Sequence, residues 1–477
     1  MTDDAHQDAP DPLAEAFATV GVPAQIDTPL GTFEMVDGVP TAESVARLYA
    51  GLDFVRGVDV FLNAVPGASL VAMRNGFRSV GLTASNQVGY TEPRANSGSL
   101  FLTPNTETTY GSMFFDLRET GPFVIEPPVQ SLCVVDDFWF RYVADMGIAG
   151  PDRGEGGKYL FLPPGFEGEV PDGYFVYRPA TFTNWVVLRA LGGVPAMKQT
   201  RVYALADADD PPETEFVNIA AFQFNTVHAN DFTFFEEVDT LVQEEPTTAL
   251  DPERAGQLAG IGIVHGQPFT PDEARRASLE QAARAGAAIS RALVYSPRDE
   301  EAPIAAGSSW LQAFIGGSYE FLREGARLLD ARTAFHYFAT VITPAMAHAQ
   351  VGAGSAYAYT VHDSNGDILD GAKTYSLTLP PDAPAKNFWS IDIYDTQTRS
   401  LLQTDDPYPS VMSTTGTVVP NDDGSTTIWF APTAPEGHET NWIQTVAGKG
   451  WFPMLRLYGP LQPWFDKAWL PGDVTPN

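Results

Sequence analysis

The chain has 477 residues, 44% hydrophobic and 12% aromatic, as expected of a folded globular protein with two or three domains. Its 28 basic residues stand against 60 acidic ones, and the resulting formal charge of −32 excludes nucleic-acid binding, which requires a basic surface. No apolar run reaches the roughly 20 residues of a membrane span, and the single cysteine, Cys133, excludes an internal disulfide.

Residues 1–40 are predicted to be a loose acidic lead-in. The first residues, MTDDAHQDAPDPLAEAF, lack the basic-then-apolar pattern of a signal peptide, which favours a cytoplasmic protein. A helix is predicted to follow, because Thr41 can cap its N-terminus and apolar residues recur at helical spacing from Val45 to Val58.

From residue 98 to 212 the pattern changes to that of β-strands. Short segments rich in β-branched and aromatic residues, such as TYGSMFFDL, SLCVVDDFWFRYVAD and NWVVLRAL, alternate with Gly/Pro turns. This spacing predicts that residues 41–212 form a helix followed by a β-sandwich.

Residues 213–350 are predicted to be a helical block. In FTPDEARRASLEQAARAGAAISRAL, Thr270 is the expected N-cap, with Pro271 in the first turn and Glu273 completing a capping box. The segment from Ser308 to Ala347 is predicted to be further helix, broken at its glycines.

Strand patterns return in residues 351–477, which are predicted to form a second β-sandwich. The two β-regions echo each other in three places: DDFWFRYVAD and KNFWSIDIYD, YLFLPPGFEG and IWFAPTAPEG, LRALG and LRLYG. These echoes indicate either two related sandwiches or chance similarity among aromatic strands.

Established catalytic motifs are absent from the sequence. There is no G-x-S-x-G elbow, no phosphate-binding Walker loop, no G-x-G-x-x-G at a helix start and no C-x-x-C. No cofactor for redox or phosphoryl chemistry is therefore evident, and three polar clusters remain as candidates.

The first cluster is LTPNTETTYGSMF, which places Asn105, Glu107 and Tyr110 between two strands. A tight polar turn explains Asn105, because asparagine bonds its own backbone there. The alternative is that Glu107 and Tyr110 line a pocket.

The second cluster consists of arginines within strands: Arg141, Arg189 and Arg456. A guanidinium flanked by apolar residues must be paired or face a polar cavity, because an unpaired buried charge is prohibitive. Each is predicted either to form a structural ion pair or to bind an anionic group of a substrate.

The third cluster is FNTVHANDFTFFEEVDTLVQEEP. Asp231 or Thr233 can cap a helix here, and Thr233 with Glu236 matches a capping box. Phe235, Val238 and Leu241 form an apolar stripe. The carboxylates of this helix are predicted to form a solvated face: Glu237, Asp239, Glu244 and Glu245.

The helix does not explain His228 and Asn230, which lie at the junction with the first β-region. They are predicted either to make junction hydrogen bonds or to line a cleft, where a neutral His228 acts as general base or metal ligand with Glu107 or Glu236.

Several motifs together resemble one bacterial family: NTVHANDFTFFEEV, GIVHGQPFTPDEA, LTPNTETTY, DGSTTIWFAPTAPEGHETNWI and GKGWFPMLRLYGPLQPWFDKAW. That family combines domain of unknown function 1254 in its N-terminal half with domain of unknown function 1214 in its C-terminal part. The resemblance spans about residues 45 to 475. It implies an immunoglobulin-like β-sandwich, a helical bundle and a C-terminal jelly-roll-like β-sandwich, but no activity. Relatives often carry Asp at position 107, Tyr at position 235 and a secretion leader.

The expected function is that of an enzyme of hydrolase or lyase type, acting on a small anionic or polyhydroxylated molecule in an interdomain cleft. The expected catalytic residues are His228, as general base or metal ligand, and Glu107, as its acidic partner. The expected substrate-binding residues are Asn105, Tyr110, Arg141, Arg189 and Asn230. A divalent metal at this site is a weaker hypothesis, and the chain could form a homo-oligomer.

The alternative is a non-enzymatic binding or assembly protein built on the two sandwiches. The tryptophans near the C-terminus would then form an exposed face for a sugar or a partner: Trp442, Trp451, Trp464 and Trp469. If they fill the core instead, an enclosed cavity becomes the expected binding site.

Overall fold

The computed structural model describes residues 12–414, 416 and 418–477. Its helices are α1 (Pro12–Val20), α2 (Ala42–Ser79), α3 (Leu117–Thr120), α4 (Gly193–Met197), α5 (Thr233–Glu244), α6 (Pro252–Gly260), α7 (Glu273–Tyr295), α8 (Leu329–Phe338), α9 (Pro344–Ala347) and α10 (Gln462–Phe465). Helices and strands together make a β-rich mixed α/β fold with several sheets.

The strands of the N-terminal half are β1 (Gln25–Thr28), β2 (Gly31–Val36), β3 (Val39–Pro40), β4 (Gln87–Tyr90), β5 (Tyr110–Asp116), β6 (Phe123–Glu126), β7 (Ser131–Asp137), β8 (Tyr142–Gly147), β9 (Tyr159–Phe161), β10 (Phe175–Tyr177), β11 (Thr183–Ala190), β12 (Arg201–Ala204) and β13 (Glu215–Asn218). Those of the C-terminal half are β14 (Leu311–Gln312), β15 (Leu322–Arg323), β16 (Ala326–Arg327), β17 (Ser355–Tyr359), β18 (Tyr375–Leu379), β19 (Ala385–Asp395), β20 (Ser410–Met412), β21 (Thr426–Ala431), β22 (Trp442–Gln444), β23 (Trp451–Pro460) and β24 (Thr475–Pro476).

The predicted acidic lead-in differs from the structure where it can be compared. Residues 1–11 lie outside the described part of the chain. Residues 12–40 form helix α1 and a three-stranded sheet in the order β1-β2-β3 instead of a loose segment.

Helix α2 is the central element of the helical region. The predicted cap is confirmed, since Thr41 Oγ1 accepts a hydrogen bond from the Ser44 amide at 3.3 Å. The helix packs against α5, α7 and α8 on one side, and it shares a hydrophobic core with Trp185 and Val187 of the first β-region. Glycines permit this close approach: a Cβ added at Gly57 would lie 2.7 Å from Ala282, and one at Gly286 would overlap Phe61.

By length and composition α2 is also the one helix in the described residues that could cross a membrane. Its most apolar window is 61% buried within the protein, and the core helix of a globular protein has the same character.

The first β-region consists of two sheets that share one hydrophobic core. A six-stranded sheet runs in the order β13-β4-β5-β11-β7-β8, and a four-stranded sheet runs β10-β9-β6-β12. Met113, Val135 and Val186 of the larger sheet point into this shared core. Alternate residues such as Trp185 and Val187 point the other way, toward the helices.

Two predicted strands of this region differ in the structure. SLCVVDDFWFRYVAD is two strands, because the chain turns between β7 and β8 with Phe140 at φ = 60°. Residues 98–103 form no named strand and contribute a single bridge from Leu100 to Asn225.

The C-terminal region also has two sheets around one core, in the orders β14-β17-β23-β19-β20 and β22-β21-β18-β24. The helix predicted over 308–347 is wrong over its first half, which contains β14 and the β15–β16 hairpin. Gly316, Gly317 and Gly325 have φ between 60° and 81°, and these left-handed turns interrupt any helix.

The similar sequence segments of the two β-regions do not all occupy similar positions in the sheets. LRALG begins in β11, which ends at Ala190, and LRLYG lies in β23; each of these strands occupies an inner position of its large sheet. In contrast, DDFWFRYVAD spans a turn between two strands, whereas KNFWSIDIYD lies within one strand, β19. The LRALG pair therefore occupies comparable positions, and the DDFWFRYVAD pair does not.

Helix α5 corrects the prediction of a solvated acidic face. Glu245 is buried and accepts the Thr183 amide at 3.1 Å, and burial raises its pKa to about 7. Glu244 pairs with Arg74 at 2.5 Å. Of the two caps predicted for α5, Asp231 bonds the first turn and the Thr233–Glu236 box does not form. Helix α7 is capped by Asp272 instead of the predicted Thr270.

Burial of Glu237 on α5 leads to a pH prediction. Both its carboxyl oxygens accept the Ala229 amide, at 3.2 and 3.3 Å, and burial raises its pKa from 4.5 to about 8. Because the folded state binds this proton more tightly, ionisation of Glu237 lowers stability as pH rises from about 4.5 to about 8. Glu237→Gln should match the wild type at pH 5 and exceed its free energy of unfolding at pH 9 by on the order of 1–3 kcal/mol.

Urea unfolding across this pH range measures the effect. Glu236→Gln is the control, since the neighbouring Glu236 side chain is 53% exposed. An equal response of the two variants would contradict the assignment.

Candidate ligand-binding cavity

A cavity of about 230 Å³ lies between the large N-terminal sheet, the segment around α8 and α9, and the large C-terminal sheet. Its wall is mainly apolar, with contributions from all three parts of the chain: Leu132, Val134, Trp185, Val187, Phe314, Phe335, Met346 and Met454. It lies in an interdomain position, where small-molecule sites commonly form.

The strand register explains which side chains face the cavity. Arg189 of β11 is opposite Tyr110 of β5 on one side and Leu132 of β7 on the other. Opposed residues of an antiparallel ladder point to the same face, as do residues two positions apart. Val187 therefore follows Arg189 on this face, and Val187 also lines the cavity.

Arg189 is the distinctive polar group of the cavity. It is partly buried, and its guanidinium lies over the Tyr458 ring, 5.3 Å from the centroid. The Nε atom is buried and has no hydrogen-bond partner within the described part of the chain. No carboxylate pairs with Arg189 among the ion pairs of those residues.

The other two predicted arginines form structural pairs. Arg456 Nη1 lies 2.6 Å from Asp392 and its Nη2 donates to the Thr103 carbonyl at 3.0 Å, with both side chains almost fully buried. Arg141 bonds Asp137 at 2.6 Å and the Ala249 carbonyl at 2.8 Å, is 46% exposed, and lies outside the cavity wall. Arg141 is therefore positioned as a structural residue, contrary to its expected role in substrate binding.

Asn105 and Tyr110 border the cavity that Arg189 also lines, whereas Glu107 does not line it. The Asn105 Nδ2 donates to the Tyr110 hydroxyl at 2.7 Å. Its Oδ1 accepts the amides of Glu107 and Thr108, each at 3.2 Å, so the polar-turn interpretation is also correct.

Glu107 lies in a network between the two large sheets. Its Oε2 accepts the Tyr458 hydroxyl at 2.8 Å. Burial raises the pKa of Asp392 well above its usual range, and the adjacent Glu107 raises it further. The guanidinium of Arg456 opposes both effects on the Asp392 pKa.

His228 lies elsewhere, in the helical core. It is buried, its Nδ1 is 2.9 Å from the Ala229 carbonyl oxygen, and its ring contacts those of Phe61, Phe234 and Tyr337. Burial lowers the pKa of His228 to about 3, so the imidazole is neutral.

Asn230, beside His228, accepts the Tyr337 hydroxyl at 3.2 Å. The contacts of His228 and Glu107 do not join them, and neither side chain lines the cavity. Within the described residues, no group of three or more His, Cys, Asp or Glu side chains is placed to hold a metal ion.

Asp145 is a cavity residue that the sequence did not reveal. It is 9% exposed, lines the wall, and both carboxyl oxygens accept from Thr343 Oγ1, at 2.7 and 2.9 Å. Burial raises its pKa to about 6, although the bond from Thr343 opposes this. The sequence signal for Asp145 was a carboxylate at an inward-facing strand position of YVADMG. It was missed because β7 and β8 were predicted as a single strand.

The C-terminal tryptophans do not form an exposed row. Trp451, Trp464 and Trp469 are buried in the C-terminal core, and Trp442 is partly buried with its Nε1 donating to Ala431. Their positions agree with a core role and give no support to a planar binding face.

These features define a β-rich protein with two β-regions and a cavity lined by both of them. Residues 85–209 match the model of the protein of unknown function DUF1254, and residues 354–462 match that of DUF1214. The chain therefore carries both domains, DUF1254 in its N-terminal part and DUF1214 in its C-terminal part.

Two solved structures match the chain, and the first of them is similar to it in fold. The VPA0106 protein from Vibrio parahaemolyticus is 16% identical, with a TM-score of 0.52 over 89% of this chain and 99% of that chain. An uncharacterised protein from Burkholderia cenocepacia is 14% identical, with a TM-score of 0.37 over 91% and 96% of the two chains. No curated protein matches the chain.

Proposed function

We propose that the cavity binds a small organic anion whose body is largely apolar and whose anionic group pairs with Arg189. The observation that carries this proposal is the cavity-facing guanidinium without a carboxylate partner. A permanently charged side chain in such a position is costly unless an opposite charge compensates it. A planar guanidinium matches a carboxylate, because two parallel N–H groups can bond its two oxygens.

The protein around Arg189 supports this assignment. The formal charge of the chain is −32, yet Arg189 has no carboxylate in an ion pair with it: the Tyr458 ring lies against its guanidinium, Tyr110 is opposite it in the strand ladder, and Glu107 acts on it only at longer range. An acidic protein has many carboxylates with which to neutralise an arginine. One left without such a partner at a cavity wall is therefore suited to a ligand.

The rest of the cavity wall determines how polar the body of the ligand can be. Leu132, Val134, Val187 and Met454 offer no hydrogen bonds, so an apolar chain or ring fits better than a polyhydroxylated molecule. The cavity holds roughly the volume of eight water molecules in the liquid, which suits aromatic or medium-chain carboxylic acids.

Hydrolase or lyase chemistry and non-enzymatic binding both stay predictions. Both an enzyme of this type and a binding protein would have to bind the anion, so the proposal specifies anion binding alone. It does not include a divalent metal. The immunoglobulin-like and jelly-roll-like types are also proposals, supported by the mainly antiparallel ladders of the two pairs of sheets.

The test compares acids with their uncharged analogues. Octanoate and 3-phenylpropanoate should raise the melting temperature of the full chain and bind in calorimetry. Octanamide and 3-phenylpropanamide should bind at least tenfold more weakly, because an amide carries no charge that could pair with Arg189. Equal affinity of an acid and its amide, or no binding of either acid at millimolar concentration, would contradict the proposal.

A further inference from the structure

We infer that the ligand carries a second polar group, a hydroxyl or an ammonium, which Asp145 binds at the side of the cavity away from Arg189. This inference rests on the proposed function and adds a substrate class to it: apolar carboxylic acids with a hydroxyl or amino group at the far end.

The strand register gives the separation between the two polar groups. Arg189 on β11 is opposite Leu132 on β7, while Asp145 on β8 is opposite Val134 on β7. The two residues are thus two strands apart and offset by two positions along the strands, which places their Cα atoms about 12 Å apart. Both side chains point to the cavity face, so one ligand molecule can reach both.

Asp145 has acceptor capacity to spare. A carboxylate offers about four acceptor sites. The described donors to it are the Thr343 hydroxyl and, at 3.4 Å, the Tyr142 hydroxyl. Since burial raises its pKa only to about 6, Asp145 is mainly ionised at pH 7.5 and accepts from a donor on the ligand.

A second polar group that can bind the ligand is the hydroxyl of Thr340. Thr340 also lines the wall, and its buried Oγ1 has no hydrogen-bond partner in the part of the chain that the structure describes. A buried hydroxyl without a partner is destabilising. Thr340 lines the same cavity as Asp145 and Thr343, so a ligand hydroxyl there can supply the partner that Thr340 lacks.

The wall between the two polar sides is apolar. Val187 is opposite Val134 in the ladder that separates Arg189 from Asp145, and Trp185 continues the same face. Polar groups at two sides with an apolar centre select a bifunctional ligand and disfavour a polyol, whose central hydroxyls would lose their hydrogen bonds with water.

Matched ligand pairs test this inference by titration calorimetry on the full chain. The pairs are octanoate with 8-hydroxyoctanoate and 3-phenylpropanoate with 3-(4-hydroxyphenyl)propanoate, and 8-aminooctanoate tests the ammonium. At least one substituted acid should bind about fivefold or more tightly than its parent. Asp145→Ala should abolish this advantage, measured as the ratio of the substituted acid's affinity to its parent's within the same variant. Asp172→Ala, an exposed loop position outside the wall, is the control and should not change this ratio.

The outcomes separate the two proposals. If the parent acids bind but no substituted acid binds better, or if the advantage survives in Asp145→Ala, the inference is wrong and the proposed function stands. If neither parent nor substituted acids bind, the proposed function fails and the inference fails with it.

Should Asp145→Ala not fold, two other variants decide between these outcomes. Thr340→Val should reduce the hydroxyl advantage, and Asp145→Asn, which retains the shape of the side chain, should remove the ammonium advantage. Unchanged advantages in both would overturn the inference.

Discussion

Replacing Arg189 by methionine is expected to weaken the binding of a carboxylic acid ligand by about 30- to 1000-fold. Removing one partner of a desolvated charge pair costs roughly 2–4 kcal/mol, and each 1.4 kcal/mol is a factor of ten in affinity. Methionine preserves the apolar length of the side chain but cannot donate to a carboxylate. The amide analogues should lose little affinity, because they make no ion pair with the arginine.

The same substitution should stabilise the ligand-free protein. Arg189 carries a charge without a carboxylate partner, and a buried Nε without a hydrogen bond, so its removal relieves a desolvation cost. Urea unfolding without ligand should give Arg189→Met a free energy of unfolding equal to or above that of the wild type. Loss of binding together with gain of stability is typical of a residue retained for function.

Arg201→Met is the matched control for both measurements. Arg201 is a strand arginine of the same β-region, it is 53% exposed, and its nearest carboxylate, Glu126, is 3.7 Å away. Its replacement should leave both affinity and stability nearly unchanged. If Arg189→Met instead unfolded the protein, the arginine would have a structural role and the binding proposal would lose its main support.

The behaviour of the arginines shows where sequence reasoning succeeded. A charged residue between apolar strand positions predicts either an ion pair or a polar cavity, and both outcomes occur: Arg456 is paired and Arg189 is not. The partner of Arg456, Asp392, lies 64 positions away on another strand. The choice between the two outcomes therefore depends on tertiary pairing, which strand periodicity does not contain.

The order of β-, helical and β-regions was predictable, because periodicity and turn residues are local signals. The environment of His228 was not. A histidine between a strand pattern and a helix start looks accessible, but the aromatic rings of Phe61, from α2, and Tyr337, from α8, bury it. Those residues are more than 100 positions away in sequence, and burial makes the imidazole neutral and poorly suited to proton transfer near neutral pH.

The carboxylates of α5 show the same limit. Glu236 is exposed, as predicted for a helix surface, whereas Glu237 and Glu245 bond backbone amides of neighbouring segments. Helical spacing distinguishes an apolar stripe from a polar face. It does not reveal that the polar face is covered by other loops whose amides need acceptors.

A second large effect is expected at Asp392. Asp392→Ala should lower the free energy of unfolding by about 3 kcal/mol, because Arg456 loses its 2.6 Å partner in a fully buried position. Thr106, whose hydroxyl lies 3.2 Å from Asp392, loses an acceptor as well. Glu107 remains close and compensates part of the charge of Arg456. The expected loss in the free energy of unfolding is therefore at the lower end of the range for a broken buried ion pair.

The double replacement Asp392→Leu with Arg456→Met distinguishes a charge effect from a packing effect. Removing both charges eliminates the uncompensated ion, so the double variant should recover at least half of the loss seen in Asp392→Ala. Urea unfolding at pH 7.5 measures all three proteins. A double variant as unstable as the single one would mean that the hydrogen bonds of the Thr106 and Glu107 loop, rather than the ion pair, hold the two large sheets together.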